Sequence, residues 1–382
     1  MRGFGAVLGA VIALGSTQVA CTAPAPDTAT AGLPATTGVT VSTVLDGLAR
    51  PWEVAVSPDG AILTGERAGR FVVARADGSA GEVAADLADL HVHGETGLMG
   101  IAFSRDFAVD RTLYTCQGHV GPLGDRDIRV VAWTVDPGWT ALTRRAEVLT
   151  GIPAGSSGRH GGCRLLAHPD GTLFVGTGDG TSRTAPQDPT SPAGKVLHVN
   201  VDGTPAAGNP DPGSPVFTFG HRNVQGLALQ PGTGRLYGIE QGTRVDDEVN
   251  LLTAGGNYGY RPDRNPLRYD ESVPMTDPDR VPGAIAAVWS SGAPTIATPG
   301  GTFLSGAPWG ELDGALVVTS QQAEKLVVLR LSEDGTAVTD ETSMLDEQFG
   351  RLRSATLAPD GTLLLTTDNG SGDRILRVTP GA

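Results

Sequence analysis

A histidine and an aspartate stand at the two ends of a predicted hairpin, where they could form a general base. His160 lies in Gly158-Arg-His-Gly-Gly-Cys-Arg-Leu165, just before an apolar strand, and Asp179 follows the paired strand in Gly176-Thr-Gly-Asp-Gly180. Because the ends of a hairpin meet, the carboxylate can fix one imidazole nitrogen and leave the other to accept a proton. A surface histidine beside a turn aspartate is the alternative interpretation of the same spacing.

Polar side chains also crowd the segment ahead of a later strand. Phe219-Gly-His-Arg-Asn-Val-Gln-Gly226 contains Arg222 and Asn223, and so dense a polar set is hard to explain by packing. Downstream, Ile239-Glu-Gln-Gly-Thr-Arg-Val-Asp-Asp-Glu-Val-Asn250 gathers acidic and amide side chains around a glycine turn. Such oxygen-rich, sulfur-free clusters suit calcium, and a solvated acidic loop is the alternative.

Two arginines near the C-terminus favour an anionic ligand. Arg351 and Arg353 flank Leu352 and face the same side if this stretch is extended. Paired guanidinium groups bind carboxylates through parallel hydrogen bonds. This stretch therefore suits a ligand that carries several carboxylates.

A recurring unit must position these residues: a short apolar strand, a Pro-Asp-Gly-like turn and a second apolar strand. Three or four strands per unit, spaced roughly 45–65 residues apart, are typical of propeller blades. We therefore predict an all-β fold, a six-bladed β-propeller of four-stranded antiparallel blades over residues 38–382. A β-sandwich is the rival, but sandwich strands do not repeat a turn sequence at this period. The units begin at Trp52, Gly100, Leu165, Gly226 and Ala355, with a weaker one in Gly301–Thr319.

Charge and the N-terminus bear on partners and compartment. The net charge of −14 argues against a nucleic-acid partner, since phosphate binding needs a basic face. Residues 1–20 are predicted to be a signal peptide and residues 21–37 an Ala/Pro/Thr-rich tether. Val-Ala before Cys21 favours lipidation of that cysteine, with simple secretion as the alternative. The predicted location is extracellular or in the cell envelope, with membrane contact only through a lipid on Cys21.

An oxidising compartment changes the interpretation of the two remaining cysteines. Cys116 and Cys163 form a pair outside the leader, and a disulfide is the natural expectation in such a compartment. Two buried free thiols are the alternative.

The motifs together resemble the soluble pyrroloquinoline quinone (PQQ)-dependent glucose dehydrogenase and aldose sugar dehydrogenase family. They follow the family's order across nearly the whole chain after the leader, and the set is specific where any one motif would be weak. The matching segments are Pro51-Trp52, Gly94–Gly100, His160 with Arg164, Gly176–Asp179, Gly220–Gly226, Glu240-Gln-Gly242 with Asp247-Glu248, Asn257–Gly259 and Arg351–Arg353.

This resemblance implies a six-bladed propeller that holds PQQ and Ca²⁺ and oxidises a sugar at its anomeric carbon, passing electrons to an external acceptor. It implies that His160 is the base, Asp179 its orienting partner and Arg222 a stabiliser of developing negative charge. The resemblance also implies cofactor contacts from Asn223, Arg351 and Arg353, a cofactor-linked calcium on the carbonyls of Gly242 and Thr243, and a structural calcium on Glu248 and the carbonyl of Tyr258.

Three residues depart from the family pattern. Glu95 stands where many members have a cofactor-contacting glutamine, and Gln322 falls near a lysine that pairs with PQQ. Both changes weaken the attraction for an anionic cofactor. Arg159 replaces an acidic residue ahead of the base, so glucose itself is not assumed as the substrate. A non-catalytic surface-binding propeller and a calcium-dependent lactonase-type hydrolase are the competing functions.

Overall fold

The structure is a computed structural model, and it describes residues 38–381. The predicted signal peptide, tether and lipidated Cys21 lie outside the described residues. None of the helices in residues 38–381 is long and apolar enough to cross a bilayer.

The described chain is built from short strands joined by tight turns. One short helix, α1 (Phe107–Asp110), and two 3-10 turns, Ala185–Gln187 and Ala307–Leu312, interrupt them. The strands are β1 (Val39–Leu48), β2 (Pro51–Val56), β3 (Ile62–Glu66), β4 (Arg70–Ala74), β5 (Ala80–Ala85), β6 (Leu98–Phe103), β7 (Thr112–Val120), β8 (Arg126–Val135), β9 (Ala141–Pro153), β10 (Gly162–Ala167), β11 (Leu173–Thr177), β12 (Lys195–Val199), β13 (Val216–Phe219), β14 (Val224–Leu229), β15 (Leu236–Glu240), β16 (Glu248–Leu251), β17 (Trp289–Ser290), β18 (Gly300–Phe303), β19 (Leu316–Thr319), β20 (Leu326–Leu331), β21 (Val338–Met344), β22 (Leu352–Leu357), β23 (Leu363–Thr367) and β24 (Asp373–Pro380).

Consecutive strands pair into four-stranded antiparallel sheets, which confirms the predicted all-β class. Three sheets contain β10 to β13, β14 to β17 and β18 to β21, and a fourth has the order β1-β24-β23-β22. The remaining eight strands form one sheet. It consists of the antiparallel runs β2 to β5 and β6 to β9, joined by a parallel pairing of Ala84 with Ala141 and Ala85 with Leu142.

The innermost strands contact one another in a closed ring. Strand β2 contacts β6, and the contacts continue through β10, β14, β18 and β22 back to β2. The core lies between neighbouring sheets: in one cluster, Ile128 of β8 is buried with Leu165 and Val175 of the next sheet. Each sheet is therefore stabilised mainly by the apolar surface that it buries against its neighbours.

The predicted Pro-Asp-Gly turns form as expected. Gly60, Gly171 and Gly361 have φ of +84°, +94° and +81°, values that favour glycine. The backbone N–H of each donates to a carbonyl three residues earlier. These turns join the first and second strands of a sheet and lie on one face of the ring. The first strand therefore begins, and the second strand ends, at the face opposite the turns. We call that opposite face the upper face.

A disulfide joins two neighbouring sheets, as predicted. Cys116 lies in the middle of β7 and Cys163 at the start of β10, with Cα atoms 5.4 Å apart. Both residues are buried. The bridge therefore fixes the start of β10, three residues after His160.

Candidate active site

The His160–Asp179 pair predicted from the sequence forms at the upper face, where β10 starts and β11 ends. His160 has a φ of +55°, an unusual conformation for a residue other than glycine. The carbonyl of His160 packs against Gly178, where an added Cβ would lie 1.8 Å from the carbonyl oxygen. A side chain at residue 178 would therefore displace the histidine backbone.

Asp179 accepts hydrogen bonds at both of its carboxylate oxygens. Its Oδ1 lies 2.9 Å from His160 Nδ1 and accepts the backbone N–H of Thr181 at 2.8 Å. Its Oδ2 accepts the hydroxyl of Tyr269 at 2.7 Å. Both Asp179 and His160 are almost fully buried. An ionised carboxylate only accepts, so Nδ1 of His160 must carry the proton in this contact and Nε2 presents its lone pair.

Two tyrosines that were not predicted from the sequence complete this site. Tyr269 Oη lies 2.7 Å from Tyr260 Oη and 3.4 Å from His160 Nδ1. Both tyrosines come from the long connection between β16 and β17, which has no strand period to mark it. Burial is the main cause that raises the pKa of Tyr269, followed by the charge of Asp179. Burial likewise raises the pKa of Tyr260.

Charged residues surround the other side of the imidazole. Arg159 Nη2 lies 3.4 Å from His160 Nε2 and donates to Glu271 Oε1 at 2.6 Å. The carboxylate of Glu95 accepts the backbone N–H of His160 at 3.1 Å. Burial tends to raise the pKa of Glu271, but the hydrogen bond and the charge of Arg159 outweigh it, so the pKa of Glu271 is lowered. A cavity of about 620 Å³ opens here, lined by Ser157, Arg159, Thr181, Arg244, Arg268, Tyr269, Asp270, Glu271 and Ser272.

The predicted Arg222 and Asn223 adjoin the His160–Asp179 pair. The backbone carbonyl of Arg222 accepts the N–H of Asp179 at 2.8 Å, and Asn223 Oδ1 accepts the N–H of Gly162 at 2.9 Å. Arg222 Nη1 donates to the carbonyl of Gln241 at 2.8 Å. Buried polar atoms without a protein partner are uncommon and are able to bond to a ligand or a water molecule. Five buried side-chain atoms near the upper face have no hydrogen-bond partner in residues 38–381: Arg222 Nε, Asn223 Nδ2, Gln225 Oε1, Asn250 Oδ1 and Asp368 Oδ1.

The two predicted arginines converge on one aspartate. Arg351 Nε donates to the carbonyl of Asp368 at 3.1 Å, and Arg353 Nη1 lies 3.6 Å from Asp368 Oδ2. Burial lowers the pKa of Arg353 to about 10. Its guanidinium lies 4.9 Å from the ring centroid of Trp52. The side chain of Gln322 is exposed, and its backbone N–H donates to the carbonyl of Ile296 at 2.9 Å.

The loop predicted to bind the cofactor-linked calcium is organised by Asp247. Its Oδ1 accepts the N–H of Gly242 at 2.8 Å, and its Oδ2 accepts those of Ile296 and Ala297 at 2.6 and 2.8 Å. Thr243 follows in the same loop. Residues 38–381 contain no group of three or more His, Cys, Asp or Glu side chains placed to hold a metal ion. Metal binding here would therefore depend on backbone carbonyl and amide oxygens as well.

Glu248 and Tyr258, predicted to share a second calcium, do approach each other. The hydroxyl of Thr276 lies 3.2 Å from Glu248 Oε1 and 3.2 Å from the carbonyl of Tyr258. Burial, followed by the charge of Glu240, raises the pKa of Glu248 to about 8. Asn250 Nδ2 contacts both carboxylates, at 3.0 Å from Glu240 and 3.3 Å from Glu248. The cluster therefore places two buried carboxylates side by side, and Glu240 also lies 2.8 Å from His221 Nδ1.

Comparison with known proteins gives consistent relatives over most of the chain. The profile of the family described as Glucose / Sorbosone dehydrogenase matches residues 48–377. Aldose sugar dehydrogenase YliI of Escherichia coli is 28% identical over 352 residues, covering 90% of this chain and 93% of that protein. PQQ-bound aldose sugar dehydrogenase from Streptomyces coelicolor is 31% identical with a TM-score of 0.76, covering 91% and 100% of the two chains. Apo-form soluble aldose sugar dehydrogenase from Escherichia coli is 26% identical with a TM-score of 0.79, covering 90% and 99%.

These matches agree with the motifs in the sequence and with the all-β fold. The matched residues 48–377 include the His160–Asp179 pair, Arg351 with Arg353, and the loop around Gly242. The chain therefore belongs to the glucose/sorbosone dehydrogenase family of oxidoreductases.

Proposed function

We propose that this chain is a six-bladed β-propeller that oxidises an aldose at its anomeric carbon to the lactone, using PQQ and calcium. The closed ring of six innermost strands supports the propeller. The observation that carries the catalytic proposal is the buried His160–Asp179 pair beside the cavity of about 620 Å³. The family match and the PQQ-bound relative support the cofactor.

His160 acts as the general base. Its Nε2 accepts the proton of the anomeric hydroxyl, and the developing imidazolium is stabilised by Asp179 at 2.9 Å from Nδ1. Arg222 stabilises negative charge that develops near the base. When bound, PQQ supplies the two-electron acceptor for the hydride that leaves the anomeric carbon. Arg159, 3.4 Å from Nε2, must contact or give way to the incoming sugar, so it bears on the choice of substrate.

The upper face fits an anionic quinone cofactor. Arg222 Nε and Asn223 Nδ2 are buried donors with no partner in residues 38–381. Arg353 meets Asp368 at 3.6 Å, beyond an ordinary hydrogen bond, so its donors are available to a carboxylate ligand. We assign cofactor contacts to Glu95, Arg222, Asn223, Gln322, Arg351 and Arg353.

Calcium fits two places by the chemistry of their donors. We assign the carbonyls of Gly242 and Thr243 to the cofactor-linked ion, which would polarise a bound carbonyl as a Lewis acid. We assign Glu248 and the carbonyl of Tyr258 to a structural ion. Burial and the charge of Glu240 raise the pKa of Glu248, and a bound cation would offset both effects and favour the ionised carboxylate.

Export completes the proposal. A disulfide is expected outside the cytoplasm, so the Cys116–Cys163 bridge supports an extracellular or cell-envelope location. We retain residues 1–20 as a signal peptide, residues 21–37 as a tether and Cys21 as the lipidation site. The partners are then the sugar and an external electron acceptor.

Reconstitution tests the function. Purified apoprotein is loaded with PQQ and Ca²⁺ and assayed for dye reduction against a panel of aldoses. We expect reduction that needs both additions, and a loss of turnover of roughly 10²–10⁴-fold in His160→Ala. His168→Ala is the matched control, because His168 also pairs with an aspartate, Asp170 at 2.9 Å, but on the face opposite the cavity. Equal losses in both variants would contradict the role of His160.

The same assay separates the competing functions. PQQ-independent lactone hydrolysis would favour the hydrolase. Sugar binding by calorimetry without dye reduction, in protein shown to hold PQQ, would favour the non-catalytic binding propeller.

A further inference from the structure

One connection supplies side chains to both sides of the candidate base. Between β16 and β17, Tyr269 reaches Asp179 and Glu271 holds Arg159 beside Nε2 of His160. Tyr269 also packs its ring against the imidazole, with centroids 5.7 Å apart and the planes at 60°. Neither Tyr269 nor the adjoining Tyr260 belongs to the motifs that identified the family.

The hydrogens of this cluster can be assigned from acceptor chemistry. Asp179 only accepts, so Tyr269 donates its single hydroxyl hydrogen to Oδ2. Tyr260, 2.7 Å from Tyr269, must then donate to the Tyr269 oxygen. The N–H of Thr181 and Nδ1–H of His160 are donated to Oδ1. Each oxygen of the buried carboxylate is therefore held by a defined donor.

We propose that Tyr269 is a positioning residue for the base. Its hydroxyl holds Oδ2 of Asp179, with Tyr260 as its support, so that Oδ1 keeps Nδ1 protonated. Nε2, which lies 3.4 Å from Arg159 of the cavity lining, then stays available to accept a proton. The inference rests on the proposed function for its catalytic meaning.

The charge balance of the cluster explains why a neutral donor is suited to this place. A donor hydrogen bond spreads the negative charge of Asp179 and so limits how strongly the carboxylate stabilises an imidazolium. A protonated Tyr269 does this without adding a charge, and its raised pKa keeps it protonated across the working range. The imidazole of His160 is contacted by Asp179, Tyr269 and Arg159, and Glu95 accepts its backbone N–H. The charge of His160 also acts on Glu271, and Arg222, Tyr260 and Lys195 interact with the charge of Asp179.

Tyr269→Phe is the primary test, because it removes the hydroxyl and keeps the ring. We expect the acid limb of the kcat profile to move to higher pH by roughly 0.5–1 unit, since the less neutralised carboxylate favours the imidazolium. We also expect kcat on the plateau to fall about tenfold, because Asp179 loses the hydrogen bond that holds it and the imidazole in one orientation, and this positioning loss outweighs the better stabilised imidazolium. Tyr260→Phe should move the limb in the same direction by less. Tyr237→Phe is the matched control, because it removes a buried hydroxyl bond, to the carbonyl of Gly335 at 3.0 Å, far from the base.

A second readout needs no cofactor. The imidazole of His160 is titrated by NMR in apoprotein, with the resonance assigned by its loss in His160→Ala. We expect the midpoint in Tyr269→Phe to rise by the same amount as the limb. An unchanged midpoint of the His160 titration in a folded Tyr269→Phe protein would overturn the inference. If Tyr269→Phe does not fold, an unchanged midpoint of the His160 titration in Tyr260→Phe would overturn it. Absence of dye reduction by the loaded wild type with every sugar would instead overturn the proposed function.

Discussion

Replacing Asp179 with asparagine removes the negative charge of this side chain and keeps its shape, so it tests the charge alone. Asparagine has nearly the same volume, and its carbonyl can still accept from Nδ1 of His160 and from Thr181. The negative charge that stabilises the imidazolium is lost. For charges roughly 4 Å apart in an effective dielectric of about 20, that stabilisation is about 4 kcal/mol. Since about 1.36 kcal/mol corresponds to tenfold in rate, we expect kcat to fall about 1000-fold.

The assay is dye reduction by the PQQ- and calcium-loaded variant, with kcat measured from about pH 5 to 9. The acid limb should move to lower pH, opposite to the shift expected for Tyr269→Phe, because the imidazolium has lost its counter-charge. Asp170→Asn, which changes the partner of His168 on the other face, should leave kcat unchanged. A folded Asp179→Asn protein with kcat within tenfold of wild type would refute the electrostatic reasoning.

Three further predictions concern the scaffold. The Cys116–Cys163 bridge spans 47 residues, so loss of chain entropy in the unfolded state suggests about 4 kcal/mol of stabilisation. Thiol labelling of the unfolded, unreduced protein should modify neither cysteine. Reduction of the bridge should lower the melting temperature. Chelation of calcium should lower the melting temperature and abolish dye reduction together, whereas full activity in protein shown by elemental analysis to be metal-free would contradict both calcium sites. Burial lowers the pKa of Lys195 to about 7. Between about pH 7 and about pH 10.4 the unfolded chain therefore binds one more proton than the folded chain. The free energy of unfolding should rise with pH over that window, by up to about 1.4 kcal/mol per pH unit. Denaturant titrations at pH 7 and 9 should show a smaller rise in the free energy of unfolding for Lys195→Met than for the wild type, and the wild-type rise for Lys325→Met. An equal rise in both variants would contradict the lowered pKa of Lys195.

The parts of the site that follow from local geometry could be predicted from the sequence. His160 and Asp179 lie at the paired ends of β10 and β11, so recognising one hairpin was enough to bring them together. Arg351 and Arg353 flank a single residue, and both contact Asp368, which follows the second strand of the last hairpin. The turn glycines, which require positive φ, were likewise visible in the sequence.

The parts that depend on distant or irregular segments could not be predicted. Strand β1 completes the last sheet by pairing with β24, and Val39 lies opposite Pro380 across almost the whole chain. Tyr260 and Tyr269 come from a connection with no strand period, so nothing in their spacing marks them as neighbours of the base. The stack of Arg164 and Arg353 on Trp52, with ring distances of 4.6 and 4.9 Å, joins three separate sheets.

The pairing of β1 with β24 also determines the face of the ring at which the described chain begins. Asp373, at the start of β24, belongs to the upper face, whereas Val39 pairs with Pro380 at the other end of that strand. Gly38 therefore lies on the side of the ring away from His160 and its cavity. A lipid anchor on Cys21, as proposed, would thus reach the ring through residues 22–37 at its turn-lined face and not at the face that carries His160.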